Sequence, residues 1–383
     1  MICWTVPDRA RMRIACFAGA SFLAFAYLLH KHLQNPVALF FLVFMLALIF
    51  LSFAIGKRLM HRQSQPLLVL GVSLPFSISL LTGFSPAASA LMNSSTWLVP
   101  VSLGFFALRQ AHFVVECYRG TIKHANPITF LAYVLFFPTL VAGPLERFPS
   151  FANQVTNARL SWDHFAVAGE RLISGALKKF VIADGLLNAA LPPDDLTQSG
   201  FADVTWWTIL FACAMKFLFV YFDFSGYTDM ARGTARLFGI ELIPNFNFPL
   251  FRSNLAQFWR AWHMSLSSFL RDYVYFPAIA KYRNTVVPLL ATMIASGAWH
   301  GINPGWLLWG VHHGIGLVCL ARFQRMAPTI PWLSELRKGG LWRIVATLAT
   351  WFYIVVGFAL TWHPADLGLS LTIYARLWTL GML

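Results

Sequence analysis

Long apolar runs separated by short polar loops organise the chain. A helix needs roughly 20 predominantly apolar residues to cross the hydrocarbon core of a bilayer. Runs at 14–30, 36–56, 66–84, 97–117, 205–225, 303–321 and 344–362 meet that requirement. Three further runs, 127–143, 165–190 and 285–299, are shorter, more polar, or interrupted by Pro and Gly. The pattern predicts an all-α, polytopic membrane protein of about ten membrane segments, some of them re-entrant. The polar insert at 144–164 and the stretch 226–283 are the largest pieces expected not to span.

Basic residues mark the loops with an alternating rhythm. Arg9, Arg11 and Arg13 precede the first run, only Lys31 follows it, and Lys57, Arg58 and Arg62 follow the second. Nothing basic lies between Phe84 and Trp97, and Arg119 and Lys123 follow the fourth run. By the positive-inside rule this predicts a cytoplasmic N-terminus. The first run resembles a signal peptide, with Ala24-Phe25-Ala26 as an apparent cleavage site. That triplet lies inside the apolar stretch, so an uncleaved first span is expected.

The loop from Leu191 to Thr205 carries Asp194, Asp195 and Asp203 but no Lys or Arg, and should lie outside. Two basic groups should face the cytoplasm. One contains Arg232, Arg236, Arg252, Arg260, Arg271, Lys281 and Arg283; the other contains Arg322, Arg325, Arg337, Lys338 and Arg343. Residues 284–321 must then leave the cytoplasmic side and return to it. At about 1.5 Å per residue, a helix starting near Asn284 is roughly 24 Å deep by His300. His300-Gly301-Ile302-Asn303-Pro304-Gly305 supplies the turn. Irregular backbone at such depth is tolerated only inside protein or beside a cavity, so His300 should line a cavity.

Composition agrees with lipid as the solvent. The 383 residues are 58% hydrophobic and 11% charged, against about 25% charged in soluble domains, and mean hydropathy is +0.62. The net charge of +14 sits in short loops rather than on a polar, aromatic-interleaved groove, which argues against nucleic acid as a partner. Cys3, Cys16, Cys117, Cys213 and Cys319 show no C-x-x-C spacing. They are read as packing residues, with neither a disulfide framework nor a metal site implied.

Ionisable residues inside a membrane are costly and default to functional candidates. Here they are His300, His312, His313, His263, Asp223, Asp229, Lys216 and Arg109. Read as one helix, Phe258–Tyr273 places Arg260, His263, Ser267 and Arg271 on a single face. Trp259, Trp262, Leu266 and Phe269 cover another. That is an amphipathic helix for the membrane surface, whose basic stripe either snorkels to lipid phosphate or also meets an anionic acyl donor. Adjacent His312 and His313 point about 100° apart on a helix and cannot both face one site. Asp223 and Asp229 are expected to hold helices together, with Lys216 two turns away as a partner for Asp223. Arg109 should pair internally.

Five ordered blocks resemble the membrane-bound O-acyltransferases, in particular the bacterial branch with the alginate O-acetylation membrane subunit and the teichoic-acid D-alanyl transfer protein. They are Phe137–Phe148, Leu177–Asp184, Phe222–Ala231, Arg260–Tyr275, and the pair Ser296–Gly301 and Trp309–Gly314. Together they cover roughly 97–362; residues 1–96 resemble the family only in being apolar. The expectation is a single membrane domain over 1–383, with N-terminal spans at 1–96 and a signature-bearing core at 97–362. Arg260-Ala261 stands where the family commonly has two adjacent arginines.

The resemblance implies helices around a central tunnel, with His300 as catalytic residue and His263 as a second functional position, either base, orienting or donor-binding. His313 matches a family position, and Arg260, Arg271, His313 and Asn303 are the expected substrate-binding residues. The implied reaction moves an acyl group, acetyl by expectation, from a cytoplasmic thioester to a hydroxyl of a cell-envelope polysaccharide or glycan. No tightly bound cofactor or metal is expected; acyl-coenzyme A or an acyl-carrier protein is the co-substrate. Expected partners are the bilayer, that donor, and a periplasmic or exported glycan acyltransferase, in a bacterial inner membrane. The alternatives are D-alanyl transfer from a carrier protein to a teichoic-acid-like polymer, and a transporter or polysaccharide channel with broken helices. The chemistry suits histidine, because an alcohol attacks a thioester poorly until its proton is removed. An imidazole has an unperturbed pKa near 6.5, matched to that role.

Overall fold

The computed structural model describes residues 16, 18–23, 27, 35–84, 98–140, 142–158, 161–192, 201 and 204–379, apart from the side chains of 35–42, 78–84 and 98–103. Every regular element among the described residues is helical. The helices are α1 (Asn35–His61), α2 (Gln65–Phe84), α3 (Leu98–Tyr118), α4 (Pro127–Val134), α5 (Phe148–Asn157) and α6 (Trp162–Ala176). There follow a π-helical segment (Leu177–Leu187), α7 (Trp206–Leu237), α8 (Leu255–Ala261), α9 (Met264–Leu270) and a π turn (Arg271–Tyr275). The last are α10 (Phe276–Tyr282), α11 (Val286–His300), α12 (Pro304–Met326), α13 (Pro331–Leu336), α14 (Gly340–Phe358) and α15 (Leu367–Trp378).

Three helices among the described residues are long and apolar enough to cross a membrane: Val43–His61, Trp206–Leu237 and Gly340–Thr361. Gln65–Ser77, Pro127–Thr139 and Val286–His300 are shorter apolar stretches. The expected span at 14–30 and the acidic loop at 191–205 lie largely outside the described residues. One boundary differs markedly. The run predicted to end at 225 continues to Leu237 as a 32-residue helix, about 48 Å long by helix rise. Its charged last third is held by Asp229 pairing with Arg171 (3.4 Å), Arg236 pairing with Glu241 (3.0 Å) and Arg232 donating to the Leu242 carbonyl (3.0 Å). Cys16 is disulfide-bonded, a correction to its reading as a packing residue, whereas Cys117, Cys213 and Cys319 are free.

The chain forms two compact units. In the first, Met1–Gly175 with Tyr227–Ile243, α1, α2 and α3 pack together around an aromatic core. The Phe113 ring lies 4.2 Å from Phe130 and 5.1 Å from Phe148. Arg109 is 3% exposed in that core. Its guanidinium donates to the Val134 carbonyl at 2.9 Å and to the carbonyl and hydroxyl of Thr139. Backbone oxygens thus satisfy it internally, as a buried cation requires. The Phe137–Phe148 block is fixed in place by Tyr133 Oη donating to the Glu146 carbonyl (2.9 Å) and Phe148 N–H donating to His112 Nε2 (3.0 Å). Arg171 pairs with Asp229 at 3.4 Å, tying α6 to the end of α7.

In the second unit, Ala176–Gly226 with Pro244–Leu383, Lys179 bridges Asp184 (2.8 Å) and Asp223. Lys216 is therefore not the partner of Asp223. Its Nζ donates to the Thr361 carbonyl at 2.8 Å and sits 4.0 Å above the Trp362 ring. The helix spacing of Lys216 and Asp223 was sound, but nearer groups from other segments claim both charges.

α11 and α12 form an antiparallel hairpin. The 15 residues of α11 rise only about 22 Å, short of the roughly 30 Å hydrocarbon core. The two helices touch backbone to backbone through glycine. A Cβ on Gly297 would lie 2.2 Å from the Trp306 carbonyl oxygen, and one on Gly310 2.5 Å from that of Met293. Small residues allow such close approach between membrane helices. At the open end Arg325 Nη2 donates to Thr285 Oγ1 at 3.4 Å. At the turn, Gly305 N–H donates to the Pro364 carbonyl at 2.8 Å.

Candidate active site

The turn of this hairpin carries His300 as the last residue of α11. Helix formation stops there because Gly301 adopts extended backbone and Asn303 caps the next helix. The Asn303 side-chain oxygen accepts from Trp306 N–H at 3.3 Å, and Pro304 occupies the first helical position, where its missing N–H costs nothing. The predicted break is thus in place at 300–304. Asn303 acts as the cap, with its side-chain oxygen turned to the start of α12.

Three indoles surround the His300 ring. Trp306 stacks on it with centroids 4.4 Å apart and planes at 16°; Trp299 and Trp309 meet it edge-on at 4.6 and 5.6 Å. His300 is an exposed residue, and its imidazole makes no hydrogen bond to the described residues.

His263 approaches the same ring system from another element. Its ring packs edge-on against Trp299 at 5.6 Å and Phe224 at 4.7 Å. Trp299 therefore lies against both histidines. The expected continuous amphipathic helix over 258–273 is not formed. α8 ends at Ala261 and α9 begins at Met264, with His263 between them in the left-handed region at φ 44°. Such a conformation costs about 1–3 kcal/mol in a non-glycine residue. Asn245, from a loop 18 residues earlier, holds it. The Asn245 carbonyl accepts from Met264 N–H (2.9 Å), and its side-chain oxygen accepts from Ser265 N–H (3.3 Å) and the Ser265 hydroxyl (2.6 Å).

The break separates the expected basic stripe. His263 turns inward and is 5% exposed, whereas Arg260 and Arg271 remain exposed; Arg271 pairs with neighbouring Asp272 at 3.3 Å. The stripe fails because a 100° helical step does not apply across a left-handed residue.

His312 and His313 part as their spacing required. His312 is satisfied on both nitrogens, with Tyr374 Oη and the Tyr353 carbonyl each at 3.0 Å, and so reads as structural. His313 is 1% exposed, packs against Trp309 (4.7 Å) and Trp259 (5.1 Å), and neither ring nitrogen has a hydrogen-bond partner among the described residues. Through Trp309 it joins the His300 cluster. Sequence reasoning missed Trp259, Trp299, Trp306, Trp309 and Asn245. The tryptophan density of 299–309 and the Asn245-Phe246-Asn247 loop beside Pro244 were the available signals. Among the described residues, no three His, Cys, Asp or Glu side chains converge as metal ligands would.

Residues 15–361 match the membrane-bound O-acyltransferase family, and the chain belongs to it. It is similar to a protein of Pseudomonas syringae pv. tomato described as "probable alginate O-acetylase AlgI", with 36% identity over 57% of this chain and 42% of that protein. It is also similar to the peptidoglycan O-acetyltransferase of Helicobacter pylori, at 32% identity over 62% of this chain and 50% of the relative. The teichoic acid D-alanyltransferase of Streptococcus thermophilus is 30% identical, over 63% and 61% of the two chains. The chain thus aligns with about half the length of the first two relatives.

Proposed function

We propose that this protein is a membrane O-acyltransferase, moving an acetyl group from a cytoplasmic thioester to a hydroxyl of a cell-envelope polysaccharide or glycan. The observation that carries the reading is His300, an exposed, indole-walled residue at the turn of a hairpin whose first helix is too short to span. In the proposed step, His300 takes the acceptor hydroxyl's proton as its oxygen attacks the thioester carbonyl. The new C–O bond forms, the C–S bond breaks, and the departing thiolate takes up a proton. His263 orients the donor or shares the base role, and His313 offers a bound group two nitrogens that are unpartnered among the described residues. Arg260 and Arg271 are available outside the cluster to meet an anionic donor such as acyl-coenzyme A or an acyl-carrier protein, and Asn303, at the hairpin turn, is a further substrate contact.

The reading includes about ten membrane segments around a tunnel, a bacterial inner-membrane location and a cytoplasmic N-terminus. An exported glycan acyltransferase would then be a natural relay partner. Acetyl is preferred because the alginate and peptidoglycan relatives are the more similar. The teichoic acid relative, aligned over more of its length, supports D-alanyl transfer from a carrier protein as the second reading. Mass spectrometry of envelope glycans from a deletion strain separates them. Loss of acetyl esters supports the first, loss of D-alanyl esters the second, and an unchanged ester content contradicts both.

A further inference from the structure

The base of the α11–α12 hairpin carries a second feature, away from the histidines. A cavity of about 440 Å³ is lined by Ile279, Arg283, Asn284, Thr285, Val286, Val318, Arg322 and Arg325. Three guanidinium groups line it and, among the described residues, no carboxylate does. None of the three arginines makes an ion pair with the described residues; Arg325 makes one hydrogen bond, to Thr285 Oγ1 at 3.4 Å. Three like charges sharing one cavity repel each other, so the arrangement favours an added anion.

The local backbone sets this geometry. Arg283 is held at φ 52°, where its N–H donates to the Ile279 carbonyl at 3.0 Å and closes α10. Asn284 Oδ1 accepts from Val286 and Val287 N–H at 3.0 and 3.1 Å and starts α11. Those first N–H groups are therefore occupied, and the guanidinium groups are the donors left for a ligand. The positive end of the α11 dipole adds to the same field. Guanidinium forks match the paired oxygens of phosphate, and Ile279, Val286 and Val318 add an apolar wall that a bare inorganic ion would not need.

We propose that this cavity is a binding site for the phosphate group of an amphiphilic or extended ligand. Two sources supply that chemistry, an anionic phospholipid headgroup and the phosphates of a nucleotide-bearing molecule. The site lies about 15 helical residues from His300, roughly 22 Å along α11, and its assignment does not depend on the transfer chemistry.

The test uses the purified full chain in a neutral, phosphate-free detergent. One arm measures retention of phosphatidylglycerol against phosphatidylcholine by native mass spectrometry; the other titrates coenzyme A by calorimetry. Binding in either arm should be saturable and weaken as salt rises. Arg322→Gln and Arg283→Gln should each weaken it roughly tenfold, the size expected for losing one charge-assisted hydrogen bond. Both substitutions are at exposed positions, and an unchanged thermal transition verifies folding. A response only to phosphatidylglycerol assigns the headgroup, a response only to coenzyme A assigns the nucleotide phosphate, and a response to both supports a general phosphate site. Absence of binding in both arms, or binding unaffected by Arg283→Gln, Arg322→Gln and Arg325→Gln, overturns the proposal.

Discussion

His300 lies flat against Trp306, their ring centroids 4.4 Å apart and planes 16° from parallel. The contact crosses the hairpin turn, so the cap that starts α12 also fixes the face of the imidazole. Trp306→Ala should reduce acyl transfer at least tenfold, about 1.4 kcal/mol of barrier. Trp306→Phe, which keeps an aromatic face, should stay within about threefold. Initial rates at matched protein levels decide; equal rates for the alanine variant would remove the stack from the account.

The left-handed turn at His263 predicts an ordering that ordinary propensity does not. His263→Gly should be more stable than His263→Ala by about 1 kcal/mol, because glycine carries no Cβ penalty there. Thermal unfolding in detergent reads the difference. Asn245→Ala should cost about 1–3 kcal/mol, since it strands buried polar groups around Ser265. Equal stability of the glycine and alanine variants would mean that the turn is not strained.

Gly310 faces the Met293 carbonyl, where an added Cβ would sit 2.5 Å from the oxygen. Backbone rather than a flexible side chain opposes it, so the hairpin must open. Gly310→Ala should lower stability by about 1–3 kcal/mol, seen as a depressed melting temperature. A variant as stable as the parent would contradict backbone-to-backbone packing.

The ionic network allows a double-mutant cycle. Lys179→Met with Asp223→Asn should show coupling of about 0.5–1 kcal/mol, modest because both side chains are partly exposed. Lys216→Met with Asp223→Asn should show none. Coupling in the second cycle instead of the first would restore the pairing read from helix spacing.

Local signals account for what was readable along the chain. The break at 300–304 was visible because Gly301, Asn303 and Pro304 each act on their own backbone. His312 and His313 were separable because a helix fixes the angle between neighbours. The His263 turn was invisible because Asn245, remote in sequence, stabilises it, and helical periodicity around it looked complete. Lys216 was assigned wrongly for a related reason: spacing shows which groups can meet, but not that Lys179 and the Thr361 carbonyl compete for them. The indoles around His300 had no assigned role along the chain, because spacing does not show which rings meet across the hairpin turn.

The central claim is that His300 removes the acceptor proton, and the rate of the His300→Ala variant tests it most directly. Parent and variant, purified side by side and shown to share one thermal transition, are supplied with labelled acetyl thioester and acceptor glycan. A positioned general base contributes about 10²–10⁴-fold. The account predicts that the variant transfers acetyl groups at least 100-fold more slowly, a loss of about 2.7 kcal/mol or more. A variant rate within a few-fold of the parent would contradict it.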